Sequence, residues 1–282
     1  MKKYIFTGET KVVKGVTLHR IVAVRSFSNV KEGDIGGWIE KEENLSHDGN
    51  CWVYNNAIIR GIARVYDRAL VYDNAEVYGN AEVYGNARVG GKARVYNAKV
   101  YGNAYVYDKA EIWDNAEVYD NAWVYDNVSV SGNAKVFGDA EVCDRARIYG
   151  NALVYGNVDV FDDAWVYGNA KVHGNAEVYG DADIYGDTEI LGNVDICGDT
   201  EVCGNAKVSN NTDYIVFKNF WSSGRYFTWT RSNNMWKVGC FYGTGEELIK
   251  KAYADSEKSG KEYERVVRYV ESILADKQKN LK

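Results

Sequence analysis

The chain has no proline and only three histidines among 282 residues. Without proline no turn has a preset φ, so tight turns must rely on glycine, asparagine and aspartate. Glycine is plentiful, at 28. Long apolar runs are also lacking. None approaches the ~20 residues of a membrane span, and the Met-Lys-Lys start leads into a strand-like stretch, so neither a membrane partner nor a signal peptide is expected. Cysteine occurs five times, an odd number without framework spacing. This speaks against a disulfide scaffold and for reduced thiols in a cytoplasmic setting. A basic excess is missing too. The net charge of -6 argues against an indiscriminate nucleic-acid binder, and no duplex DNA is expected as a partner. Charge is nevertheless uneven: 213–282 holds 13 Lys and Arg against 9 Asp and Glu, or +4, leaving -10 for 1–212.

What is present in abundance is a six-residue period. From Val53, steps of six reach Ile59, Val65, Val71, Val77, Val83, Val89 and Val95; one residue is then missing, and the series runs from Val100 by sixes to Val208. Every one of these 27 hexads carries Val or Ile at this position. Two residues earlier stands a small residue, nearly always Ala (Ala57, Ala63, Ala75, Ala81, Ala206), with compact exceptions such as Val128, Thr188 and Thr200. Asn, Asp and Gly fill the two positions before that, as in Gly79-Asn80 and Gly168-Asn169. A β-branched residue, a tight corner and a small residue repeating by six describe one side of a triangular coil. Three hexads close an 18-residue turn, so 27 build nine, a stack roughly 43 Å tall at ~4.8 Å per strand. In Val95-Tyr96-Asn97-Ala98-Lys99-Val100 only the corner glycine is dropped, which predicts one tightened corner without loss of register.

The pattern [Val/Ile]-x-x-x-[small]-x resembles that of the hexapeptide-repeat superfamily and covers a little over half the chain. The resemblance implies a left-handed parallel β-helix of about nine coils. It also implies oligomerisation, a trimer above all. The stretch RIVAVRSFSNVKEGDIGGWIEKEENLSHDGNCWVYNNA (20–57) looks like the entry segment of YdcK-type proteins, uncharacterised bacterial and phage proteins with a hexapeptide solenoid.

Residues 18 apart share a face. The position after each Val yields three outward columns: Tyr66, Tyr84, Tyr101, Tyr119, Phe137, Tyr155, His173, Leu191; Tyr54, Tyr72, Gly90, Tyr107, Tyr125, Cys143, Phe161, Tyr179, Cys197; and Arg60, Tyr78, Tyr96, Trp113, Ser131, Tyr149, Tyr167, Tyr185, Cys203. Stacked rings gain contact between rungs, and one such face is a candidate oligomer interface or platform for a flat ligand. The position before Val alternates in sign along Arg64, Glu82, Lys99, Glu117, Lys135, which favours correct stacking. A second such column turns acidic at Glu141, Asp159, Glu177 and Asp195 and reads as a solvated strip.

The best-known superfamily members are acyl-CoA-dependent transferases, in which a histidine acts as general base at a subunit cleft walled by extruded loops. Here His173 occupies an aromatic slot of an ordinary hexad, His19 and His47 precede the repeats, and no loop interrupts the 27 hexads. No catalytic residue, metal ligand or cofactor is assigned. Cys143 and Cys197 share a column three rungs apart, too far for a disulfide, and Tyr-Gly-Thr-Gly-Glu-Glu (242–247) lacks the ending of a P-loop.

The ends need caps. Residues 1–50 read as an N-terminal β cap, 51–212 as the solenoid, and 213–282 as a small α+β domain of three antiparallel strands and two helices. The helices are expected to open with capping boxes, Thr244 with Glu247 and Ser259 with Glu262. Lys218, Trp221, Arg225, Tyr226, Trp229, Arg231, Trp236 and Lys237 mix cations with rings, a combination suited to a phosphate-bearing, base-containing ligand if some share a face. The expectation is a non-enzymatic scaffold or binding protein of phage or prophage type. Its solenoid would present a terminal domain to a partner protein or a nucleotide-like ligand. An acyl-CoA-dependent transferase and a self-assembling structural rod are the rivals.

Overall fold

The structure, a computed structural model, describes residues 2–279, and side chains as far as Asp276. Met1 and the last three residues of the 213–282 segment lie outside the described residues. The chain opens with two long antiparallel strands, β1 (Tyr4–Val13) and β2 (Val16–Ala23), followed by β3 (Ile35–Ile39). Next come 27 short strands, β4 to β30, from Trp52–Val53 to Lys207–Val208. They distribute over three parallel sheets, nine to each, and β1–β3 extend one of the sheets to twelve strands.

Each rung strand pairs with the residue one coil above and below, as in Lys135↔Leu153 and Val136↔Val154. The Val or Ile points into the shaft and the small residue sits at the corner; both are fully buried in one continuous core. Burial of each branched side chain stabilises by about 1.5–3 kcal/mol. The two corner residues divide their work. The first, Gly or Asp, holds positive φ (Gly79 at 67°, Asp120 at 56°). The second, often Asn, donates its side-chain amide to the next rung: Asn103 to Asn121 at 2.9 Å and Asn121 to Asp139 at 2.8 Å. At the shortened corner Asn97 stands in for the missing residue. It takes φ of 53°, and its Oδ1 accepts from the Asn80 N–H at 2.9 Å. At an ordinary corner that bond goes to a backbone carbonyl, as from Asn86 to Gly102. Register survives on both sides, with Val95 opposite Ile112 and Val100 opposite Val118.

The solenoid begins earlier than the 1–50 boundary predicts. β3 pairs in parallel with the first rung above it, Ile39 opposite Ile59, and Leu45 bridges Val65. Ile39 and Leu45 thus add a degenerate turn to the nine regular ones, about ten in all. The Gly36-Gly37-Trp38 run is structural: a Cβ on Gly37 would stand 2.5 Å from Val53 Cγ1, and one on Gly36 would stand 2.6 Å from Ile21 and Trp52.

The C-terminal domain has four antiparallel strands, not three: β31 (Tyr214–Lys218), β32 (Tyr226–Thr230), β33 (Met235–Val238) and β34 (Phe241–Gly243). The segment Trp236–Phe241 reads as one strand in sequence. Gly239 at positive φ folds it into a hairpin, with Val238 opposite Phe241. Helices α1 (Gly245–Asp255) and α2 (Glu257–Lys279) follow. Thr244 and Glu247 form the expected capping box. The second expected box does not form: Ser259 lies inside α2, and its N–H donates to the Ser256 hydroxyl at 3.1 Å. Ser256 is the better placed cap because α1 ends there.

Candidate functional site

The four-stranded sheet is two-faced, and this decides the fate of the eight mixed cationic and aromatic residues. Phe227, Trp229, Trp236 and Val238 face the helices and form a core with Leu248, Ala252, Tyr263 and Val267. Trp229 and Trp236 are therefore closed to any ligand; the Trp229 indole donates to Asn234 at 2.9 Å. The opposite face docks on the open end of the solenoid. Thr228 Oγ1 accepts from the Glu201 N–H at 3.2 Å, Ser232 Oγ from the Lys207 N–H at 2.7 Å, and the Tyr214 hydroxyl donates to the Asp195 carbonyl at 2.6 Å.

Lys237 belongs to this joint, with Nζ 3.1 Å from the Glu201 carboxylate and over the Tyr185 ring. Beside it, burial first and Glu201 second push the Asp183 carboxyl up to about 6, with Lys237 opposing. Arg231 pairs with Asp213 at 3.7 Å. Burial tends to raise the Asp213 pKa, but hydrogen bonds from Ser209 and Asn210 outweigh it and hold the carboxyl below its usual range. Of the eight residues, two are thus core and two belong to the joint.

The remaining four, Lys218, Trp221, Arg225 and Tyr226, stay together at the outer end of the β31–β32 hairpin. The Asn219 N–H donates to the Arg225 carbonyl at 2.9 Å and closes the loop. Asn219, itself buried, accepts with Oδ1 from the Trp221 and Ser222 N–H groups at 3.0 and 3.1 Å. This turn leaves Phe220 and Trp221 in water, 73% and 70% exposed, with rings 6.3 Å apart and nearly perpendicular. Lys218 lies over the Tyr226 ring at 4.6 Å and over Phe220 at 5.5 Å. Phe220 was not foreseen. Its signal was adjacency to Trp221 ahead of a Ser-Ser-Gly turn.

The aromatic column that starts at Tyr66 stacks as expected, and the other two stack in part, as at Phe161–Tyr179 and Tyr149–Tyr167. From Tyr66 to His173 seven rings lie 4.8 Å apart, within 5° of parallel. His173 continues this ladder, and its Nε2 lies 3.1 Å from Glu189. Lys135 and Lys207 pair down the same face with Glu117 and Glu189. His47 stacks on Tyr4 and His19 on Phe6, both in the N-terminal segment. All five cysteines are free, and no His/Cys/Asp/Glu group among the described residues is arranged to hold a metal. No helix among the described residues is long and apolar enough to cross a membrane.

Fold and surface together define a repeat protein of the parallel β-solenoid class, mainly β, with capped ends. The comparisons agree. The family model described as "YdcK Beta solenoid repeat" matches residues 146–159. The chain is 39% identical over 70 residues to the protein named "Uncharacterized acetyltransferase YdcK" of Escherichia coli strain K12. The match covers 22% of this chain and 22% of that relative.

Proposed function

We infer that this chain is a non-enzymatic scaffold whose capped solenoid presents the Asn219–Arg225 loop to a protein partner. The observation that carries this reading is the pair of exposed rings, Phe220 and Trp221, on a turn whose own polar groups are satisfied. Apolar rings left in water gain when a partner covers them, and Trp and Arg are the residue types concentrated in binding hot spots. The perpendicular rings suit a contoured protein surface better than a nucleotide-like ligand, because a base needs a parallel face to stack on. A trimeric assembly and a phage or prophage setting belong to the same reading; the first rests on the superfamily resemblance alone and the second on the resemblance of 20–57 to YdcK-type proteins. The test is affinity capture from the source cells with wild type and the F220A/W221A double variant. A protein retained by wild type and lost by an equally stable variant is the expected result; identical captures would refute the reading.

A second reading, acetyl transfer, draws on the relative's name and on the His173–Glu189 pair, since a carboxylate can orient a histidine base. It predicts that acetyl-CoA raises the melting temperature and that H173A abolishes acetyl transfer to an acceptor while leaving that rise in place.

A further inference from the structure

The three faces of the solenoid differ in how charge is handled. On the face holding the His173 ladder, Lys99, Lys135 and Lys207 each pair with a glutamate one rung away. On the face that continues Trp52–Val53, four successive rungs carry Glu141, Asp159, Glu177 and Asp195, paired in register. None of the four forms an ion pair among the described residues. Their polar contacts are neutral: the Tyr125 hydroxyl on Glu141 and the Asn211 amide on Asp195. Like charges directly opposite each other destabilise a sheet. In keeping with this, burial, and after it Glu141 and Glu177, push the Asp159 carboxyl above its usual range.

Just before this strip the same face changes character. Gly90 stands between rungs that carry Tyr72 and Tyr107 at this position, and the two rings tilt toward each other across it, their centroids 6.0 Å apart. A Cβ on Gly90 would stand 2.3 Å from Tyr72, so the close approach of these rings requires glycine. In the neighbouring column Tyr105 and Trp123 stack at 5.0 Å, with Arg88 over Tyr105. Between the two columns runs a mainly apolar groove of about 310 Å³, lined by Tyr72, Tyr105, Tyr107, Trp123 and Tyr125 and closed at one end by Glu141. Trp123 is 51% exposed. Arg88 shows that a guanidinium already lies against a ring on this face.

We propose that this face is a docking surface for an extended basic segment of a partner polypeptide, whose lysine or arginine side chains lie over the aromatic groove and along the acidic strip. Charge complementarity selects this occupant: rings attract cations through their faces, and four carboxylates without a countercharge call for a partner that brings one. The strip is linear, one acid per rung, and so matches an extended chain better than a compact ion. The surface is distinct from the Asn219–Arg225 loop, whose own cations would repel such a segment.

The experiment is fluorescence anisotropy of a fluorescein-labelled nonalysine peptide titrated with the full chain at low salt. Binding should weaken as salt rises. E141Q/E177Q should weaken it about tenfold and W123A severalfold, each in a chain that still unfolds cooperatively. D139N/D187N, which removes the same charge from corner positions, should stay within about twofold of wild type. Absence of binding would overturn the proposal. So would equal losses for the two double variants, which mark unspecific attraction, or an inert W123A. Sedimentation showing an oligomer at the working concentration that W123A dissociates, which places a second copy on this face, would overturn it as well.

Discussion

Asn97 illustrates how one side chain can absorb a deletion. Its amide oxygen supplies the acceptor that the lost residue's carbonyl would have offered to Asn80, and its backbone takes the positive φ of the corner. Asn97→Ala removes the acceptor and disfavours that φ, so a loss of about 1–3 kcal/mol is expected in urea unfolding. Asn97→Asp, which keeps both properties, should retain most of the stability. The deletion was legible as a missing corner residue. The compensation was not, because it depends on a strand one coil away. Asp183 gives a second prediction. Its carboxyl, pushed up to about 6, binds a proton in the folded state that the unfolded chain releases near the ordinary value of 3.8. Stability attributable to this group is therefore lost as pH rises from about 4 through 6. Asp183→Asn should stabilise by up to ~1 kcal/mol at pH 7.5, discounted for partial exposure, and leave urea midpoints at pH 3.5 unchanged.

At the scale of elements, the cap is the main lesson. β31–β34 spend one face on the helices and the other on the last rungs, which otherwise offer unpaired backbone to another chain. A chain ending at Asn211 should associate with rising concentration in sedimentation, whereas the full chain keeps a constant state. Thr244→Ala should cost about 1 kcal/mol in thermal unfolding, because the Thr244–Glu247 box satisfies the α1 N-terminus. The first helix start was legible because both box residues are local. The second was shifted by three residues, because α1 ends at Ser256 and hands that serine to α2. The fourth strand was hidden in the strand-like run Trp236–Phe241, where a lone Gly239 gives little sign of a turn.

For the molecule as a whole, strand pairing in the described solenoid runs between neighbouring coils, and the inward Val and Ile meet similar surroundings from rung to rung. Val83 and Val172 lie on one face, five rungs apart. Val83→Ala and Val172→Ala should each cost about 1–3 kcal/mol. Their costs should add in the double variant if denaturation stays cooperative, since no shared neighbour couples them. The period of six, the inward Val, the small corner residue and the ring ladders were all determined by the sequence by itself. Each follows from sterics and pleat direction within a few residues, repeated without interruption. Only the tertiary structure decided which of eight similar cations and rings at the C-terminus reach solvent. Both faces of that sheet are covered, one by helices later in the chain and one by rungs earlier in it, and alternation along a strand does not say which cover comes from where.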